Sequence, residues 1–245
     1  MLKQSLSGSN SKRNQSRDWL ILICISALTG FLLVTFFLSS FSLIDANVRL
    51  WSLSIQSNAV TIIANGISDV VSSLTLISLA ISGYLFLKKH RAESLLLLGG
   101  VDAVVLVCDF IKNIVKSPGP PNGSGISPGF SYPSGHSSGV IVFVGLIVFL
   151  LLQHWNSIRV KVSLGTTLAG VSLLVGFVRL YLNVHWFSDI IGGYLLGIFL
   201  LTFSILIFNH LRDSGKFQYG KFKLISLILF ALTSILAIFI FVISF

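Results

Sequence analysis

Long apolar stretches separated by short polar breaks dominate this chain. They run at about 19–44, 67–87, 94–115, 137–152, 162–182, 187–208 and 224–244. A membrane-spanning helix needs about 20 apolar residues, so the pattern predicts an all-α, polytopic membrane helix bundle. It has a six-helix core and a seventh, C-terminal span. The fourth run is short and starts beside glycines, which suits a helix that begins inside a protein-lined pocket. Between the first two runs, residues 45–57 mix Val48, Leu50, Trp51, Leu53 and Ile55 with polar residues. This reads as an interfacial segment rather than a further span. Residues 5–16 are polar and read as disordered. The first apolar run covers about 26 residues, beyond the roughly 7–15 of a signal-peptide core, so it reads as a retained anchor.

Composition narrows the class. The 245 residues are 54% hydrophobic and only 10% charged, with a mean hydropathy of +0.91. A soluble domain carries about 25% charged residues, so a soluble enzyme is excluded. The two cysteines, Cys24 and Cys108, both sit inside apolar runs, which excludes a disulfide scaffold and a cysteine-rich metal site.

The net charge of +9 raises the question of nucleic acid, and its distribution answers it. Lys3, Lys12, Arg13 and Arg17 precede the first span; Lys88, Lys89 and Arg91 follow the second. Arg159 and Lys161 follow the fourth, and Arg212, Lys216, Lys221 and Lys223 follow the sixth. Thirteen of the seventeen basic residues therefore fall on one side, and only Arg49, Lys112, Lys116 and Arg179 fall toward the other. By the positive-inside rule the N-terminus is cytoplasmic, and the third and fifth loops are extracytoplasmic. A nucleic-acid surface would not alternate with the spans in this way.

The chemically unusual residues lie in those two loops. All five prolines (118, 120, 121, 128 and 133) fall in the third, between Lys112 and His136. Pro133-Ser134-Gly135-His136 stands directly before an apolar run, where free backbone N–H groups and the helix dipole make an anion site. The fifth loop holds Arg179, His185 and Asp189. His185 and Asp189 are four apart and share a helix face. A carboxylate on one imidazole nitrogen fixes the tautomer and leaves the other nitrogen free to attack. Arg179 offers a planar fork of donors suited to phosphate oxygens. Taken singly, each cluster also fits a structural role: a serine cap beside an interfacial histidine, or a structural His–Asp pair. Two histidines, an aspartate, an arginine and lysines on one membrane face make a stronger case together.

These motifs resemble the type-2 phosphatidic acid phosphatase superfamily, which includes bacterial acid phosphatases and vanadium-dependent haloperoxidases. Its Pro-Ser-Gly-His motif is complete at residues 133–136. Its third motif matches at Arg179, His185 and Asp189, with Val178 in place of a serine. The first keeps Lys112 and Pro120 but has Gly119 where arginine is expected. The resemblance covers roughly residues 90–200. It divides the chain into a cytoplasmic polar tail (1–18), a membrane-embedded phosphatase-like domain (19–210) and a cytoplasmic loop with a C-terminal span (211–245).

The resemblance implies a multi-pass cell-membrane lipid phosphatase acting on the extracytoplasmic face without metal or cofactor. His185 would attack phosphorus, Asp189 orient it, and His136 serve as acid and then base. Lys112, Arg179, Ser134 and Gly135 would hold the phosphate oxygens. Lys116, four residues beyond Lys112, is a candidate replacement for the missing arginine if the helix continues that far. It also fits a lysine snorkelling at a helix end. Asp109 stands three residues before Lys112 and is a candidate for orienting it. Asp102 is open between a proton relay and a hydrogen-bonded structural role.

The implied substrate is a lipid phosphate or isoprenoid diphosphate: phosphatidic acid, phosphatidylglycerophosphate and undecaprenyl diphosphate all qualify. The oligomeric state is open. The alternative is a catalytically impaired member that binds lipid headgroups or a membrane partner. A small transporter is the third reading, supported only by Asp102.

Overall fold

The computed structural model describes residues 2–121, 129–155 and 157–215, with side chains from residue 14 onward. Eight α-helices occur among them: α1 Leu2–Phe36, α2 Ser42–Ser54, α3 Asn58–Ser72, α4 Leu74–Leu87, α5 Arg91–Val115, α6 Gly135–Leu152, α7 Ile158–Tyr181 and α8 Phe187–Asp213. The only pairing of extended backbone among the described residues is an isolated bridge between Pro118 and Phe130. Among the described residues, five helical segments are long and apolar enough to cross a membrane: Asn14–Phe36 of α1, and α5 to α8. The pair α3 and α4, bent by 44°, has the length and apolar composition of a broken span or a re-entrant loop. The fold is the all-α membrane bundle that the hydropathy pattern predicts. The expected seventh span at 224–244 lies outside the described residues.

Two local expectations change. Residues 5–16, expected to be disordered, continue α1 back to Leu2. A polar stretch free of proline propagates readily from a helix that the apolar span has already nucleated. The segment at 45–57, read as interfacial, lies largely within the short helix α2, and that reading is unchanged. The run at 67–87 is broken at Ser73 and is preceded by an earlier start at Asn58. Ser72 Oγ donates to the Ser68 carbonyl and Ser73 Oγ to the Asp69 carbonyl. Such back-bonding serines bend helices.

Helix α8 packs against α1, α5 and α6, while α2 and α3 pack on α7. Leu97, Tyr132, Val142, Leu146 and Leu196 are almost wholly enclosed at the centre. Apolar tails solvate these helices as well as they solvate one another, so close approach depends on small residues. Gly193 and Gly197 supply them on α8. A Cβ at Gly193 would lie 2.7 Å from the Ser134 carbonyl oxygen, and one at Gly197 would lie 3.0 Å from that of Ser138. Ser138 Oγ donates to the Gly193 carbonyl at 2.9 Å. This crossing brings the starts of α6 and α8 together.

Candidate active site

The start of α6 is built by Ser134, whose Oγ accepts from the Ser137 N–H at 3.4 Å. The Ser134 N–H in turn donates to the Asp189 carbonyl at 3.1 Å. The third-loop motif is thereby fastened to the first turn of α8. His136, in the first turn of α6, has Nε2 3.0 Å from Ser72 Oγ.

The fifth loop is a tight turn between α7 and α8. Asn183 takes a left-handed conformation at φ 55°, which asparagine tolerates better than most residues. His185 follows, 8% exposed, with Nδ1 3.3 Å from Asp189 Oδ2. The same oxygen accepts the Trp186 N–H at 2.8 Å, capping the helix. A carboxylate only accepts, so Nδ1 donates and Nε2 is the nitrogen left free. Burial holds the His185 imidazole below its ordinary value of 6.5. The hydrogen bond and charge of Asp189 oppose this, while the nearby charges of Arg179 and Lys112 add to it.

Arg179, at the end of α7, donates from Nη1 to Ser68 Oγ at 2.6 Å, while its buried Nε has no partner among the described residues. Lys112, in the last turn of α5, lines a cavity of about 380 Å³ with Gly135, His136, Ser72, Asp69 and Asp109. His136, His185, Arg179 and Lys112 lie within electrostatic reach of one another. The structure thus brings together the two histidines, Asp189, Lys112, Arg179, Ser134 and Gly135.

Lys116 stands apart. Helix α5 ends at Val115, and Lys116 is an exposed cap with φ 52°. The condition for sharing a face with Lys112, a continuing helix, is therefore not met. Asp109 takes Asn113 Nδ2 at 3.4 Å and forms no ion pair with Lys112. Asp102 is 2% exposed, and neither carboxylate oxygen has a hydrogen-bond partner among the described residues. Gly119 does not use the positive-φ region, and a Cβ there would meet only Ser131 Cβ at 3.6 Å. The backbone at this position accepts a Cβ without strain.

Ser68 and Ser72 on α3 are site residues that the sequence reading missed. Their signal is two serines four apart, flanking Asp69, in an otherwise apolar run. Among the described residues, no three His, Cys, Asp or Glu side chains converge as metal ligands.

Residues 93–213 match the PAP2 superfamily. Phosphatidylglycerophosphatase B of Bacillus subtilis (strain 168) is 38% identical over 72 residues, covering 29% of this chain and 36% of that protein. An undecaprenyl-diphosphatase of Sulfolobus acidocaldarius is 39% identical over 79 residues, 32% of this chain and 34% of that one. The chain thus spans about a third of the length of these curated relatives. The crystal structure of a transmembrane PAP2-type phosphatidylglycerolphosphate phosphatase from Bacillus subtilis superposes with a TM-score of 0.68. That superposition covers 76% of this chain and 96% of the other at 22% identity, a likeness of fold.

Proposed function

Residues 93–213 belong to the PAP2 superfamily, and from that premise we propose that this protein hydrolyses the phosphate monoester or diphosphate of a membrane lipid on the extracytoplasmic face. His185 Nε2 attacks phosphorus as the bond to the leaving oxygen breaks, giving a phosphohistidine. His136 protonates that oxygen, then takes a proton from the water that releases inorganic phosphate. Lys112, Arg179, Ser134 and the Gly135 N–H hold the phosphate oxygens. No step requires a metal, because phosphoryl transfer is largely positioning and charge neutralisation.

The observation that carries this reading is the Arg179 Nε–H, unpartnered among the described residues, whose guanidinium lies within electrostatic reach of the His185–Asp189 pair. A buried donor without an acceptor is costly, and a phosphate oxygen would satisfy it. The names of the two curated relatives support a lipid phosphate or isoprenoid diphosphate substrate.

Gly119 favours a second reading, an impaired member that binds headgroups. Losing one donor of this kind costs about 3–4 kcal/mol of transition-state stabilisation. Phosphate release by the purified protein from phosphatidic acid, phosphatidylglycerophosphate and undecaprenyl diphosphate decides between them. The expected result is vanadate-sensitive hydrolysis that survives chelators, lost together with the phosphoenzyme in His185→Ala. Full activity in His185→Ala, or a strict magnesium requirement, rules the mechanism out. Hydrolysis of none of the three lipids favours the binding reading.

A further inference from the structure

Helix α2 lies outside the spans, yet it carries two charged side chains on its inward face. Asp45 is buried and Arg49 half-buried, four residues apart. Charged groups withdrawn from water are stable only when fully hydrogen-bonded, and both of these are bonded to the active-site loops. Asp45 Oδ1 accepts the Ser188 N–H and Oδ2 accepts Ser188 Oγ–H, each at 2.8 Å. Burial raises the Asp45 carboxyl above the usual carboxylate range, and the Ser188 hydrogen bonds oppose that shift.

Arg49 Nε donates to Asn183 Oδ1, and Nη2 donates to the Pro121 carbonyl, each at 3.0 Å. Asn183 Nδ2 donates to the same carbonyl at 3.0 Å, closing a three-cornered link between the first, third and fifth loops. Just past α2, Gln56 Nε2 donates to the Tyr181 carbonyl at 2.6 Å, and the Ser57 N–H donates to Tyr181 Oη at 2.7 Å.

These contacts flank His185 on both sides, at residues 181 and 183 before it and at residue 188 after it. The turn needs such support. Asn183 occupies a left-handed conformation that persists only when the surroundings enforce it. The recorded side-chain bond of His185 itself is the 3.3 Å contact to Asp189. We propose that α2 is a brace for the nucleophile turn, and that Asp45 and Arg49 are positioning residues that fix His185 against Asp189 without touching the phosphate. This rests on the reading of His185 as the nucleophile.

The test uses the full chain in lipid nanodiscs and compares Asp45→Ala, Asp45→Asn, Arg49→Ala and Arg49→Lys. Leu50→Ala, on the exposed face of α2, is the control. A displacement of about 1 Å costs about 10²-fold in rate. Asp45→Ala and Arg49→Ala should therefore lose about 10- to 100-fold in kcat while KM moves less than about threefold. Hydrogen exchange should rise in peptides covering residues 182–190 and stay unchanged in the middle of α7 and α8. Asp45→Asn, which keeps an acceptor for the Ser188 N–H, should recover most of the loss. Arg49→Lys, which can bond one acceptor but not fork to two, should fall between.

Should Asp45→Ala fail to fold, Asp45→Asn and Arg49→Ala carry the test. Wild-type kcat with unchanged exchange at 182–190 in Arg49→Ala overturns the brace. So does a loss of protection spread evenly over α7 and α8. A wild-type protein that neither hydrolyses lipid phosphates nor forms a phosphohistidine defeats the phosphatase reading instead. The exchange data would still judge the brace.

Discussion

In the proposed reaction His185 acts as a neutral imidazole, and its surroundings favour that form. Burial, reinforced by Arg179 and Lys112 and opposed by Asp189, holds it below 6.5. A lowered histidine pKa keeps the free base down to lower pH, so the acid limb of kcat/KM should fall below pH 6.5. Asp189→Asn removes the one influence that raises the pKa. Its limb should move to still lower pH, and kcat should drop by about 10⁴-fold as the tautomer is lost. A limb unmoved between the two proteins would dissociate that titration from His185.

Gly119 allows the opposite kind of test. A Cβ fits against Ser131 and no positive φ stands in the way. Gly119→Arg should fold normally and raise kcat/KM by about 10²-fold if most of the donor energy is recovered. Lys116→Ala should leave kcat/KM within about twofold in either background, because Lys116 points off the end of α5 as an exposed cap. Steady-state kinetics on the four proteins check both statements.

At the level of helices, the crossing of α6 and α8 sets the distance between the two motifs. Gly193→Ala would press a methyl against the Ser134 carbonyl at 2.7 Å. Overpacking of this kind costs about 1–3 kcal/mol. Thermal unfolding should register that loss, and activity should fall further, because the same shift parts Ser134 from Asp189. The spans were legible in the sequence because hydropathy reports burial in lipid directly, and α5 to α8 end within a few residues of the predicted runs. His185 and Asp189 were legible from their four-residue spacing, although His185 stands in the turn before α8 and not on a helix face, and His136 was legible from its place in Pro133–His136 before an apolar run. The roles of Ser68, Ser72, Asp45 and Arg49 were not. Each depends on a partner 64 to 143 residues away in the chain, and no local periodicity records such a contact. The break at Ser73 was hidden for a related reason: serine hydroxyls bend a helix without interrupting its hydropathy.

For the molecule as a whole, the uneven charge on its loops is the testable quantity. A reporter fused at Gln153, between α6 and α7, should report cytoplasm, and one at Pro121 should report the opposite side. The reverse result would separate the active loops from the proposed substrate pool. One residue of this architecture has a consequence in time as well as in space. Asp189 holds His185 through its carboxylate and Ser134 through its carbonyl, and it arrives with the last helix of the described bundle. A ribosome delivers the chain from the N-terminus. Helices α1 to α7 are therefore already synthesised before His185 has its carboxylate partner. On the proposed mechanism, a chain ending before α8 lacks Asp189 and should be inert whatever its lipid surroundings, and the first turnover would mark the moment when the core is complete.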